Sequence, residues 1–254
     1  MRTQPEYGID SPTIVIGELI LGGAACSVAL LLLVLRALLL VGVIGMAIGL
    51  FVLLNAGSMV FYSKVGKRSI RDQLLRLVAW RGDEVALDVG CGRGLLLVGV
   101  ARRLTTGKAI GVDRWIRGAI SGNRLEATLE NAALERVADL VEVQDGDARH
   151  LPFDDHMFDV VVSNFVVHEM DTRTDREKML REIIRVLKPG GQIALVDFIF
   201  TGEAVQVLRR SGVQDARRLP IRWPYFWFSA LSSLGMVQVY QVIGHKDPDS
   251  ASRT

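Results

Sequence analysis

At 254 residues the chain has room for one large domain, or for one ordinary domain with an appendage. Its net charge of +2, from 30 basic and 28 acidic side chains, gives no case for a nucleic-acid partner, and none is expected. The two cysteines, Cys26 and Cys91, make neither a disulfide framework nor a metal-ligand spacing, so no metal is expected and a reducing compartment suits the main domain.

After a short tail, residues 1–12, the chain turns apolar. From Thr13 to Phe61 the only charged side chains are Glu18 and Arg36. One helix of that length would reach roughly 70 Å at about 1.5 Å per residue, whereas a bilayer core takes about 30 Å, or around 20 residues. Two membrane spans, near 13–35 and 38–61 with a reversal around Arg36, use residues 13–62 well. A signal peptide would start basic and be shorter, but acidic Glu6 and Asp10 precede this run. A buried hairpin in a soluble core would show an amphipathic pattern, which is missing here. Gly42, Gly45 and Gly49 suit close helix packing, though glycine-rich membrane composition accounts for them slightly better. Lys64, Lys67, Arg68, Arg71 and Arg76 follow, against the single acidic Asp72. This basic helix and linker, residues 63–82 with the helix from Lys67 to Trp80, places the remainder on the cytoplasmic side of an inner or plasma membrane.

From residue 83 to 246, strand-like and helix-like patterns alternate, and residues 247–254 form a tail. Strands are expected at 85–89, 108–113, 140–144, 158–164, 192–198 and 235–243, with a weaker one near 213–219. Helices are expected near 94–104, 123–137, 174–187 and 202–211. Such alternation predicts an α/β fold with a mostly parallel sheet flanked by helices, whose ligands bind at the carboxyl ends of the strands.

The stretch around which this domain is organised is Leu87-Asp88-Val89-Gly90-Cys91-Gly92-Arg93-Gly94, at the end of the first strand. Glycines at 90, 92 and 94 let the backbone turn tightly and approach a ligand, and a following helix N-terminus favours anionic groups. The spacing departs from the dinucleotide pattern Gly-x-Gly-x-x-Gly, since Leu95 stands where the last glycine would be. Asp113 ends the second strand with Arg114 beside it, and is either a ribose-hydroxyl acceptor or an exposed loop aspartate. Trp115 is either a nucleoside cover or packing. Gln144-Asp145-Gly146-Asp147-Ala148 follows the third strand, where an acidic residue and a small one suit adenine. Ser163 and Asn164 end the fourth strand, followed by His168 and Glu169. Leu187-Lys188-Pro189-Gly190-Gly191 reads as a helix stop.

Taken in order, Asp-Val-Gly-Cys-Gly-Arg-Gly, the strand-end Asp113, Gly-Asp-Ala with Leu-Pro-Phe, Phe-Asp-Val-Val-Val and Leu-Lys-Pro-Gly-Gly resemble the class I S-adenosylmethionine-dependent methyltransferases. The nearest subgroup includes the ubiquinone/menaquinone-biosynthesis enzymes. The resemblance covers residues 75–200 well and 200–245 loosely, and leaves the apolar segment unaccounted for. It implies a Rossmann-like sheet with an antiparallel last strand, and S-adenosylmethionine as donor with S-adenosylhomocysteine as product. Carried over by motif, Asp88, Gly90, Cys91, Gly92 and Gly94 sit at the methionine end, Asp113 with Arg114 at the ribose, Asp147 and Ala148 at the adenine, and Asn164 at the methionyl amine. Cys91 is the usual occupant of its slot and is given no nucleophilic role. His168 and Glu169 stand as a candidate general-base pair near the acceptor, with pocket wall as the other reading. No Asn-Pro-Pro-aromatic sequence follows the fourth strand, which disfavours an amine of a base or of glutamine as acceptor. Arsenite methylation, which uses several cysteines, is discounted.

Arg222-Trp223-Pro224-Tyr225-Phe226-Trp227-Phe228 reads as an apolar acceptor wall, a membrane-interface contact or a patch packed on the sheet. Membrane anchoring suits a small acceptor dissolved in the bilayer, quinone- or lipid-like. A membrane-bound sensor or scaffold that binds the donor without catalysis, and a dinucleotide-dependent oxidoreductase, remain as the readings from other classes. The sequence gives no signal for oligomeric state.

Overall fold

The computed structural model describes residues 3–36, 38–116, 118–221 and 238–248. Two helices, α1 (Pro12–Val34) and α2 (Leu39–Phe61), run antiparallel against each other and match the expected apolar spans to within a residue or so. Both are long and apolar enough to cross a membrane, by length and composition. Their reversal passes through Arg36 and Leu38, both at positive φ, a region that non-glycine residues seldom enter, so the turn carries neither of its usual residues, Gly or Asn. Gly42 and Gly49 are buried between the two helices. A Cβ on Gly49 would stand 2.5 Å from the Cys26 sulfur, and one on Gly42 would stand 2.9 Å from Leu33. The composition reading of these glycines is therefore replaced by close packing. Asn55 donates to Glu18 across the same contact at 2.6 Å. The outward faces of both helices are exposed Leu, Ile and Val.

No flexible linker follows. One helical run extends from Leu39 to Leu75, with a π turn at Tyr62–Gly66 leading into α3 (Lys67–Leu75). The helix expected up to Trp80 thus stops five residues earlier, where the Trp80 indole N–H donates to the Leu75 carbonyl. The basic cluster is also not all solvated. Lys64, Arg68 and Arg76 are exposed, while Lys67 and Arg71 are buried. The segment before α1 explains Lys67: it folds back over the domain, and the ammonium donates to the carbonyls of Tyr7 and Gly8 at 2.7 Å and reaches Asp10 at 3.4 Å.

The domain is a seven-stranded sheet in the order β3-β2-β1-β4-β5-β7-β6. Its strands are β1 (Val85–Val89), β2 (Lys108–Asp113), β3 (Val141–Asp145), β4 (Phe158–Asn164), β5 (Leu187–Asp197), β6 (Arg217–Pro220) and β7 (Tyr240–His245). All neighbouring pairs are parallel except those made by β7. The Rossmann-like methyltransferase sheet with its antiparallel last strand is therefore present. Helices α4 (Leu95–Ala101), α5 (Leu125–Leu134), α6 (Arg173–Val186) and α7 (Thr201–Arg210) flank it. The strand expected at 192–198 starts earlier, because the chain leaves α6 straight into β5. Leu187 pairs with Phe158, and the register then shifts so that Gln192 pairs with Val160. Lys-Pro-Gly-Gly is thus accommodated as a strand irregularity as well as a helix stop. The expected last strand, 235–243, falls partly outside the described residues, and β7 runs on to His245.

Two apolar layers hold the sheet. Leu87, Phe158, Met179, Leu180, Ile183 and Leu187 lie on one face, and Ile70, Leu74, Leu97 and Val160 on the other. Each is at most 2 % exposed, and burying a side chain of this size stabilises by about 1.5–3 kcal/mol. Helix α3 belongs to the second layer: a Cβ on Gly99 of α4 would meet Arg71 at 2.6 Å and Leu75 at 2.8 Å. The apolar helices are thereby fixed, through α3, to the face of the sheet that α4 covers.

Candidate functional site

The strand order reverses between β1 and β4, and both strands end at one crevice, the place where open α/β sheets take their ligands. The loop after β1 is held from below by β2, since Gly90 and Cys91 both donate their N–H to the Val112 carbonyl. Gly90, Gly92 and Gly94 have φ of 74°, 51° and 80°, the left-handed region that glycine enters without strain. A Cβ on Gly90 would also lie 2.3 Å from Val166, after β4. The Cys91 sulfur sits over Gly111, where a Cβ would approach it to 2.8 Å. Burial first, then the charges of Asp88 and Asp113, pushes that thiol well above its ordinary range, so it is packing rather than a nucleophile.

Asp113 uses its carboxylate on the protein itself. One oxygen accepts from the Gly92 N–H at 2.7 Å and the other from the Trp115 N–H at 2.6 Å. Each oxygen keeps further acceptor capacity for a ligand. Trp115 is a strut: its indole N–H reaches the Gly92 carbonyl at 3.3 Å. Thr128 and Asn131 of α5 complete the support, donating to the carbonyls of Gly92 at 2.6 Å and Arg93 at 2.9 Å. Sequence reasoning missed this pair. Its signal was two polar side chains on the buried face of a helix, visible only once that face is known.

Asp88 is 1 % exposed, and neither carboxylate oxygen finds a hydrogen-bond partner among the described residues. Burial, reinforced by the charge of Asp113, raises its pKa to about 8. A buried carboxyl without a partner is costly, and a cationic ligand beside it would remove that cost. The ammonium and sulfonium of S-adenosylmethionine are such groups, so the donor fits the site.

After β4, Asn164 lines the crevice with Phe165 and Val166, and His168 and Glu169 face it. The His168 Nδ1 lies 3.1 Å from Asp197, at the end of β5, and its Nε2 lies 3.2 Å from Glu169. Burial would lower the histidine pKa, but the hydrogen bonds to Asp197 and Glu169 outweigh it and raise the value to about 9. At neutral pH His168 is therefore a cation held between two carboxylates, already carrying the proton a general base would have to accept. Asp197, 1 % exposed, was not anticipated from sequence. Its place at a strand end was the available signal.

One pocket of about 470 Å³ gathers Asp88, Gly90, Cys91, Gly92, Asp113, Arg114, Ala148, Asn164, His168 and Glu169. Two expected residues stand outside its wall. Gly94 begins α4 and packs against Thr128. Asp147 is clasped by Arg149 at 2.6 Å, with Arg114 at 3.7 Å, and the hydrogen bonds from Arg149 hold its pKa down to about 2. Gly146 and Ala148 present that turn to the pocket instead. The aromatic stretch Arg222–Phe228 lies outside the described residues.

Residues 87–195 match the model of a methyltransferase domain. The chain carries a class I S-adenosylmethionine-dependent methyltransferase domain. S-adenosylmethionine is the cofactor of such a domain, and the donor-side geometry described above fits it. The chain is 34 % identical over 141 residues to the methyltransferase GfsG of Streptomyces halstedii, covering 55 % of this chain and 46 % of that one. With the demethylmenaquinone methyltransferase of Lactiplantibacillus plantarum it shares 31 % over 131 residues, covering 51 % and 52 %. It thus spans about half the length of the curated relatives it matches. Among solved structures, geranyl diphosphate C-methyltransferase from Streptomyces coelicolor superposes with a TM-score of 0.58 at 16 % identity, covering 76 % of this chain and 84 % of that one. The [4+2]-cyclase SpnF superposes at 0.57 with 20 % identity, covering 73 % and 82 %. These likenesses establish the fold. That one of them is named a cyclase shows why the reaction has to be argued from the site.

The buried carboxyl gives donor binding a pH dependence. A raised Asp88 pKa means that its contribution to stability is complete below about 3.8 and is lost as pH rises through about 8. A cationic ligand favours the ionised form, so binding draws a proton off Asp88. S-adenosylmethionine affinity should therefore fall on acidification below pH 8, by up to about tenfold per pH unit, the limit set by one linked proton. Calorimetry between pH 6 and 9 measures this slope, and Asp88→Asn should flatten it. An equal slope in that variant would remove Asp88 from the donor site.

Proposed function

We propose that the protein transfers the methyl group of S-adenosylmethionine to a small lipophilic acceptor, quinone- or lipid-like. In this reading α1 and α2 span a membrane and the domain lies on its cytoplasmic side. The observation that carries the donor half is the buried, unpartnered Asp88 carboxyl beside a glycine loop clasped by Asp113. The acceptor half is supported by a pocket whose wall is largely apolar and includes residues of α2. Relatives named as demethylmenaquinone and phytyl-naphthoquinone methyltransferases support the same acceptor class.

When bound, S-adenosylmethionine supplies an electrophilic methyl group on a sulfonium. The protein then has to align an acceptor with that methyl and keep water away. The glycine loop and the Asp113 clasp fix the donor end, and the β4 end with Phe165 and Val166 closes over it. His168, charged at neutral pH, gives one N–H to Asp197 and the other to Glu169, and so positions Glu169 beside the acceptor. Glu169, held below the usual carboxylate range chiefly by its hydrogen bond to His168, remains ionised beside it and is the group available to take a proton.

Membranes containing the full chain, incubated with methyl-tritiated donor, should yield label in the organic extract. Label confined to water-soluble products would overturn the acceptor class. Absence of both transfer and S-adenosylhomocysteine binding would overturn the donor assignment as well.

A further inference from the structure

The pocket wall is not made by the methyltransferase domain alone. Ser58, Met59 and Phe61 of α2 line it together with Ile116 and Phe198 of the domain. Phe61, Ile116 and Phe198 are 40 %, 52 % and 37 % exposed, so the mouth is rimmed by large apolar side chains in contact with the surroundings. Leu50 and Leu54, both exposed, lie on the same stripe of α2 as Phe61, at spacings of four and seven residues. An apolar track therefore runs along the helix into the mouth. The segment before α1 contributes to the same wall through Tyr7, Asp10 and Ser11.

Size sets a further condition. A pocket of about 470 Å³ is toward the small end of the roughly 300–1,000 Å³ range that holds one drug-sized ligand. With the donor in place, only the reacting head of an acceptor fits, and the rest of that molecule must lie outside the mouth. The surface waiting there is the apolar track.

We infer that α2 is a wall of the active site as well as an anchor, and that the acceptor is a chain-bearing amphiphile entering sideways from the bilayer. Its polar head sits beside His168, while its chain passes Met59 and Phe61 and stays against the α2 stripe. This rests on the function proposed above. The route never exposes the chain to water, which makes entry favourable for a molecule already in the membrane. Met59 and Phe61 become specificity-determining residues that select a chain-bearing acceptor over its chainless head.

The test uses the full-length protein in phosphatidylethanolamine/phosphatidylglycerol vesicles containing a diazirine-bearing long-chain fatty alcohol, with S-adenosylhomocysteine present. Irradiation should label residues 58–62 and also 165–170, which lie inside the pocket and away from the outward faces of α1 and α2. Met59→Trp, which narrows the mouth, should cut the label on 165–170 at least tenfold. Label on α1 should be unchanged, and S-adenosylhomocysteine affinity should stay within twofold. A misfolded variant shows itself by losing that affinity, and Phe61→Lys then takes its place with the same expectation. No label on 165–170 in the parent protein, or equal label in a variant that still binds the product, would overturn the inference. Label there without methyl transfer in the membrane assay would overturn the function and spare the entry route. Methyl transfer without such label would overturn the entry route alone.

Discussion

Asp113→Ala should weaken S-adenosylhomocysteine binding by about 30- to 700-fold, equivalent to about 2–4 kcal/mol. The size follows from what the carboxylate holds. It accepts the Gly92 N–H at 2.7 Å and the Trp115 N–H at 2.6 Å, so its loss orphans two backbone donors and releases the loop that shapes the methionine end. The side chain is also the candidate partner of the ribose hydroxyls, so ligand contact and loop order are lost together. Asp113→Asn separates these roles in part, because it keeps one acceptor oxygen but turns an amide N–H₂ toward a backbone donor. Its affinity should fall between those of the parent and the alanine variant. Calorimetry reads both, and a change below threefold in Asp113→Ala would remove the residue from the donor site.

The second large effect is expected at Lys67. Its ammonium is buried, donates to two carbonyls of the N-terminal segment and pairs with Asp10. Burial lowers its pKa while Asp10 works the other way, so the charge is kept by the company it has. Lys67→Met fits the space but leaves Asp10 and both carbonyls without that donor. The cost should be about 3 kcal/mol, borne locally. Hydrogen exchange at Tyr7 to Ser11 should speed up about a hundredfold, the same free energy expressed as a rate ratio. The central strands should keep their protection. Unchanged exchange in the segment would show that its hold comes from elsewhere, such as the Asn131 side chain, which donates to the Glu6 carbonyl.

Much of the donor side was legible because methyl-donor chemistry is concentrated at strand ends, and strand ends can be read from period and punctuation. The ranges of β1, β2 and β4 follow from apolar runs closed by Asp88-Val-Gly, Asp113 and Ser-Asn. Asp147 was harder. The motif identified the turn, but whether a carboxylate faces a pocket or a neighbouring guanidinium depends on side-chain direction, and here Arg149 takes it. Asp197, Thr128 and Asn131 were invisible for another reason: each acts across a long stretch of chain on a residue that only folding brings near. The glycines of α2 were misjudged because a packing contact and a compositional bias leave the same trace in sequence. Lys67 and Arg71 were legible only as members of a basic cluster, because their burial depends on the segment before α1 and on α4, neither of which sequence alone places beside them.

The single helical run from Leu39 to Leu75 has a mechanical consequence. It is a shaft rather than a leash, carrying the α1–α2 pair at one end and packing into the sheet at the other. A shaft transmits rotation. Under the proposed membrane placement, any tilt of the helical pair turns the domain by the same angle, and tilt is governed by the match between apolar length and bilayer thickness. The elevation of the pocket mouth above the lipid headgroups would then be a property of the membrane as much as of the protein.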